Sequence, residues 1–575
     1  MKAQILPIFK DIFPQDEQPS VQDILKTIPT DTIIKVACYI NAQLYFSNER
    51  LKTEIKIFVH LIERITDDKL RNTPYNNLVG FQKKLEGQDL AIFPLPHTLK
   101  LIEYAYLSEY VPNNAKTTPE QDLNILKALL ILNSGANDKT IGIFDGIDMS
   151  NNESVYKIFW ASLLPNSTIL LKKDIILSLY KSLKFFKFLN DNYPKYLNQY
   201  LEVNKADVYQ KIPIKLFELY SNGYNKEEDF FYSYFNKDSV AQNQIVASLT
   251  LDVINSSREE FIAKKMQMNF KGIRTLPILK SEADEYNISN WNFIIEKFYE
   301  GLVFDFYNKT NIKEVKELKS FEDYKGKMGD YFTNEFFMDL MKEIFNHHPI
   351  ICLKEKERND QCDYDFYIRI KNNIFFFEFK DILFPINESY EDIKNTIDKK
   401  LVENKKGIKQ IIRQIKNFNQ SPNVFDDLEK EGISLNDIVV YPILVYSDNA
   451  FGMTGINHYL NNLFEAELNK EVSDRGFNVK PLALMSLDFL MEEYENFKHG
   501  KLDLVSVLNL YFELQNERIK IYQQNKTPMT LQNAFEGFDV IIREKVVSYS
   551  KDLLKSSFYE RVIEDFKPFL VKNAL

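Results

Sequence analysis

Residues 360–381 read DQCDYDFYIRIKNNIFFFEFKD, and the fold depends on how that run is taken. It predicts two strands joined by a short turn, Lys371-Asn372-Asn373. The second strand is almost wholly aromatic or branched, yet it carries Glu378 and Lys380. Successive side chains of a strand alternate between its faces, so those two emerge together and Phe377 and Phe379 point the other way. On the first strand Asp363 shares a face with Asp365, while Tyr364, Phe366 and Ile368 take the opposite one. An Asp, a Glu and a Lys are thereby expected on one sheet surface. Charges inside so apolar a strand need a partner or a metal ion.

Working outward, residues 329–495 alternate between helical and strand patterns. A helix is predicted over 331–345, a strand over 349–355, then the hairpin. A helix follows over about 391–419 with a break at Gly407, then strand 438–447, helix 455–468 and strand 481–487. Elements in this order predict a mixed central sheet flanked by helices. The tripeptide E-x-K also occurs at Glu54–Lys56, Glu314–Lys316 and Glu403–Lys405, in helical or connecting sequence. Only the Glu378 copy lies in a strand pattern after an Asp-bearing strand. The plainest alternative is a half-exposed hairpin with a cross-strand Asp–Lys ion pair.

Behind the hairpin, Lys394, Lys399, Lys400, Lys405, Lys406, Lys409, Arg413 and Lys416 are opposed only by Asp398 and Glu403. Ile408, Ile411, Ile412, Ile415 and Phe418 form an apolar stripe at helical spacing. Gln410 and Gln414, four residues apart, share a face of that helix.

The rest of the chain has no chemical signature. At 575 residues it calls for about three to four domains. Residues 1–265 form a helical region of unassigned role, with three- and four-residue apolar spacing in segments such as Val21–Leu44, Ile55–Leu70 and Ile169–Leu189. Residues 266–328 are a β-containing connector, with a helix over Ile294–Phe306 and a charged link over 311–328. Residues 496–575 are helical again. The expected class is therefore α+β and multidomain.

Phe, Tyr, Lys and Asn are abundant and Gly scarce, as in AT-rich bacterial genomes. A net charge of −10 argues against a protein that coats nucleic acid indiscriminately. Cys38, Cys352 and Cys362 form no C-x-x-C pair, so neither a zinc site nor a disulfide framework is indicated. No signal peptide or membrane span is expected, which predicts a cytoplasmic protein with no membrane partner. His347 and His348 precede Pro349 at a helix-to-strand turn and read as loop residues. No nucleophile elbow, Gly-rich phosphate loop or ATP site is present.

The hairpin and its flanking elements resemble the PD-(D/E)xK, or restriction-endonuclease-like, nuclease superfamily. That family places an Asp on one core strand and E-x-K on the next. The resemblance covers roughly residues 329–495. It implies a restriction-endonuclease-like core with Asp365 and Glu378 as metal-ligating carboxylates, Lys380 as the motif lysine and the Phe379 carbonyl as a further ligand. Mg²⁺ is the implied cofactor, with Mn²⁺ as a substitute, since hard cations take carboxylate and carbonyl oxygens. The implied activity is metal-dependent phosphodiester hydrolysis, with DNA as the default substrate and a setting in restriction or antiviral defence. Lys380 is suited to orient water and neutralise charge building on the phosphate.

Asp363 is a second candidate for the metal role, and Glu335 is the nearest match to a glutamate that the family carries in its first helix. Gln410 or Gln414 is placed to support the site. Lys399, Lys400, Lys405, Lys406, Lys409, Arg413 and Lys416 are expected to contact nucleic-acid phosphates. The alternatives are a catalytically inactive nuclease fold that binds nucleic acid, or a helical scaffold. A second copy or a partner protein is the expected occupant of the helical surfaces.

Overall fold

The structure is a computed structural model. It describes residues 4–85, 89–112, 118–144, 151–160, 172–222, 244–263, 270–281, 285–345, 351–353, 364–384, 390–403, 406–422, 431–549 and 557–569, with 224–225, 230–231, 234–235 and 428. Asp363, Lys405, His347 and His348 lie outside the described residues.

The chain is mostly helical, with mixed sheets set among the helices. The elements that build the hairpin's surroundings are helices α1 (Ile175–Asn192), α2 (Glu300–Lys309) and α3 (Phe321–Tyr331). A π-helical segment, Phe332–Phe337, carries α3 directly into α4 (Met338–Phe345). Strands β1 (Ile351–Leu353), β2 (Phe366–Ile370) and β3 (Asn373–Lys380) follow. Then come α5 (Tyr390–Ile397), α6 (Ile408–Gln420), β4 (Val439–Tyr446), α7 (Ile456–Glu471), β5 (Asn478–Val479) and β6 (Ala483–Ser486). Helix α8 (Leu504–Asn525) opens the C-terminal helical segment.

The sheet runs β5-β4-β3-β2-β1, and β6 pairs with β4 beyond the end of β5. The β1–β2–β3 meander is antiparallel, whereas β3 with β4, and β4 with β5 and β6, are parallel. Ile370 pairs with Asn373 and Phe366 with Phe377, so the hairpin loop is only Lys371–Asn372. Lys371 takes a left-handed φ of 54° to close it, and Asn373 belongs to the strand rather than the turn.

The two sheet faces have separate cores. Phe366, Ile368, Phe375, Phe377, Phe379, Ile443, Val445 and Met485 are buried against α1, α3, α4 and α8. Tyr367, Ile374, Phe376, Val440, Leu444 and Leu484 are buried against α5, α6 and α7. The apolar stripe Ile408, Ile411, Ile412, Ile415 and Phe418 seats α6 on the second face. Gly407 begins α6 with φ 52°, and a Cβ there would run into the Leu401 carbonyl, so the expected break falls where only glycine fits.

Four expectations are corrected. Tyr364 packs with Tyr367 on the α6 side, with ring centroids 5.6 Å apart, rather than opposite Asp365. The chain is not yet a strand at Tyr364 and Asp365, so strict alternation does not hold there. The link over 311–328 contains most of α3: Ser320 accepts the Asp323 N–H and the Asp323 carboxylate accepts the Ser320 N–H, a capping box that starts a helix in charged sequence. Segment Val21–Leu44 is divided by Pro29 into helices Val21–Leu25 and Thr30–Phe46. Strand Thr250–Asp252, inside the region read as helical, joins a four-stranded sheet with Ile278–Lys280, Tyr286–Ile288 and Tyr234–Phe235.

Among the described residues, no helix is long and apolar enough to cross a membrane.

Candidate functional site

Strand β3 is buried from Ile374 to Phe379, and its even-numbered positions face α6. Glu378 and Lys380 therefore emerge on the α6 side near the carboxyl end of the strand. The Glu378 side chain is 1% exposed and that of Lys380 18%. A carboxylate that deep needs compensation. Lys380 Nζ supplies it by donating to Glu378 Oε1, and it also donates to Gln410 Oε1 at 2.8 Å. Gln410 Oε1 accepts in addition from the Gly407 N–H at 3.2 Å. One amide oxygen thus ties the first turn of α6 to the strand lysine.

Asp365 stands where β2 begins. Its N–H donates to Phe377 O at 3.2 Å, and its Oδ2 accepts from the Phe379 N–H at 2.7 Å. On the other side of β3, Ser447 N–H donates to Lys380 O at 3.2 Å. Backbone N–H and C=O groups of one strand residue point to the same neighbour, and the next residue's point to the other. The Phe379 carbonyl is consequently directed toward the Asp365 side, as its N–H is. Asp365, Glu378 and the Phe379 carbonyl gather three hard oxygen sources about the end of one strand.

The charges are coupled. Burial pulls the Lys380 ammonium down, but Glu378, then Asp365, the hydrogen bond to Glu378 and finally Asp330 outweigh it, so Lys380 is held above its ordinary value. Lys380 therefore keeps its charge at neutral pH. Asp330, near the end of α3, is a carboxylate whose charge reaches Lys380. Glu335, proposed for that place, is exposed on the π-helical segment, where it lines an open cleft with Lys327, Asp330, Tyr331 and Asn334. The sequence signal that favours Asp330 is slight: it falls between the charged link over 311–328 and the helix predicted over 331–345.

Lys380 contacts Glu378 and Gln410, and the Asp365 carboxylate acts on the Lys380 charge from the Phe379 N–H that it accepts. Gln414 is buried one turn further along α6. Among the described residues, no group of three or more His, Cys, Asp or Glu side chains gathers to hold a metal. Any ion at this end of β3 would rest on two carboxylates and the backbone carbonyl. That donor set is all oxygen, which suits Mg²⁺, an ion that keeps several of its waters.

The basic residues separate into two groups. Lys416 pairs with Glu471 at 2.8 Å and Lys394 with Asp398 at 2.9 Å. Lys399, Lys400, Lys406 and Lys409 lie nearer the Gln410 end of α6, and Lys399 reaches Glu322 at 3.6 Å. Burial first, and then Lys406, Lys399 and Lys325, lower Lys400 below the ordinary lysine value against the pull of Glu322. Like charges are therefore crowded at this end. Arg413 is half-buried.

One buried acid beside the site was not singled out from sequence. Asp381 follows Lys380 and faces the opposite side of the sheet. Its carboxylate pairs with Lys325 at 2.6 Å and accepts from Ser447 Oγ at 2.6 Å. Tyr299 OH lies 3.1 Å from each of its oxygens.

No family model, curated protein or solved structure matches this chain in the three comparisons made. The functional reading rests on the residues themselves.

Proposed function

We propose that the chain is a metal-dependent nuclease of the PD-(D/E)xK type, hydrolysing phosphodiester bonds, with DNA as its substrate. One observation carries the reading. Glu378 and Lys380 lie on one face at the end of β3, with Asp365 and the Phe379 carbonyl at the same end and Gln410 holding the lysine.

In this reading Asp365, Glu378 and the Phe379 carbonyl hold Mg²⁺, or Mn²⁺ in its place. A bound ion supplies Lewis-acid stabilisation of charge on the phosphoryl oxygens. Lys380, charged at neutral pH, orients the attacking water and offsets negative charge at the scissile phosphate. Gln410 keeps Lys380 directed at that spot. Lys399, Lys400, Lys406 and Lys409 steer the phosphate backbone in, which makes binding strongly salt-dependent. The helical regions bind the target, a second copy or a partner protein, in a restriction or antiviral setting.

The second reading is a nuclease-like fold that binds nucleic acid without cutting. The direct Glu378–Lys380 ion pair favours it, because each group already compensates the other. The test is incubation of the full chain with plasmid, linear and single-stranded DNA and with RNA, in Mg²⁺, Mn²⁺ or EDTA. The proposal expects cleavage with either ion, none in EDTA, and none by Glu378→Gln or Lys380→Met. Salt-dependent binding with no cleavage under any condition supports the second reading.

A further inference from the structure

Lys380 does its proposed work from a backbone that is clamped on both sides. Before it, the Phe379 N–H is held by Asp365, and the Phe379 ring stacks on Phe337 with centroids 4.7 Å apart and planes within 7°. After it, the Asp381 side chain has no solvent exposure and three side-chain partners. Those partners come from three separate parts of the chain. Tyr299 immediately precedes α2, Lys325 lies in α3, and Ser447 follows β4. Ser447 also takes the Lys380 carbonyl through its N–H, and its own carbonyl accepts from Lys181 of α1 at 3.0 Å. Lys325 Nζ sits 5.6 Å from the Tyr299 ring centroid, so the two partners of Asp381 brace each other.

We infer that Asp381 is a positioning residue for Lys380, and that Tyr299, Lys325 and Lys181 make the placement of that lysine depend on the docking of α1, α2 and α3 against the sheet. The inference rests on the nuclease reading for its effect on turnover, but the coupling itself is independent of catalysis. An isolated buried carboxylate would cost free energy. Here the donors come from elements distant in sequence, so Asp381 is fully compensated only when Tyr299 before α2 and Lys325 of α3 are both seated, while Lys181 of α1 steadies the Ser447 backbone. Burial first, and then the Asp381 carboxylate, raise the Tyr299 phenol well above its usual range, so it remains a donor throughout the neutral range. Once the clamp slackens, Lys380 moves relative to Glu378 and Gln410. Displacements of about 1 Å at a reacting group cost on the order of 100-fold in rate.

The experiment uses the full chain with Tyr299→Phe, which removes one hydroxyl, and with Asp381→Asn. Tyr200→Phe, which removes a buried hydroxyl donated to Asp305 at 2.7 Å, serves as the control for a merely structural loss. Two quantities are measured. The first is cleavage kinetics. The second is the rate at which Lys380 is acetylated by acetic anhydride, followed by mass spectrometry. The inference expects kcat to fall about 10- to 100-fold in Tyr299→Phe and Asp381→Asn with KM unchanged. Lys380 acetylation should change at least about 3-fold in both, as its preorganised contacts loosen. Tyr200→Phe should alter neither. Unchanged acetylation in both variants, or equal changes in all three, overturns the inference. If the parent chain cuts nothing but acetylation responds as described, the coupling stands and the nuclease reading fails.

Discussion

Glu54-Ile55-Lys56 and Glu378-Phe379-Lys380 contain the same motif, and both glutamates are buried, at 0% and 1% exposure. Their lysines have different fates. In helix Arg50–Glu63, residues two apart lie on roughly opposite sides, so Glu54 turns inward and Lys56 outward. Glu54 is compensated locally by Arg50 Nε at 2.9 Å and by the Ile92 N–H at 2.6 Å, which makes it an anchor between elements. On β3 the period of two keeps Glu378 and Lys380 on one face, and the lysine itself becomes the partner. The motif acquires chemical meaning from the backbone beneath it.

The comparison can be broken most forcefully at Glu378. Glu378→Gln should reduce metal-dependent cleavage by about 1,000-fold, in the range seen when one electrostatic stabiliser is removed from a preorganised site. Its circular dichroism should remain that of the parent chain. Glu54→Ala should do the reverse. It leaves the buried Ile92 N–H without its partner, which costs about 1–3 kcal/mol. Turnover per folded molecule should match the parent, as read by urea unfolding beside an active-fraction assay. Equal losses of turnover in the two variants would contradict the distinction.

Gln410→Ala should have a smaller effect, about 10-fold on turnover, typical of a group that orients rather than reacts. The two motifs also differ in pH dependence. Lys380 is raised above its ordinary 10.5, so its ion pair contributes stability below that value and loses it as pH rises through the higher folded value. Glu54 is raised above 4.5, chiefly by burial, so the folded state binds the extra proton. Stability from that proton is present below 4.5 and lost as pH rises through the folded value. Unfolding curves of the parent should therefore carry no titration of Lys380 between about pH 6 and 9. The difference between parent and Glu54→Gln should change at acid pH instead. The smallest effect is expected among the basic residues that precede and line α6. Lys400→Ala should lower the salt slope of DNA binding by about 1, and Lys416→Ala, already paired to Glu471, by less.

Much of the site was legible because strand period and apolar content fix β3 without any knowledge of its neighbours. The face shared by Glu378 and Lys380 and the break at Gly407 follow from local spacing, whereas spacing leaves Gln410 and Gln414 equivalent and the fold separates them. What escaped notice depends on contacts distant in sequence. Asp381 reads as an ordinary polar residue at a strand end until Tyr299 and Lys325 are seen to meet it. Helix α3 was hidden because charged residues obscure apolar periodicity, although Ser320 and Asp323 carry its start. Tyr364 departs from strict alternation because it precedes the strand, where the period of two does not hold.

The proposed activity requires that Asp365 and Glu378 hold one divalent ion. Titration of the full chain with Mn²⁺, followed by electron paramagnetic resonance of the free ion, tests it without a substrate. A saturable site in the parent that is lost in both Asp365→Asn and Glu378→Gln, with Glu54→Gln unchanged, is the predicted result. Identical Mn²⁺ binding by the parent and by both site variants would contradict it.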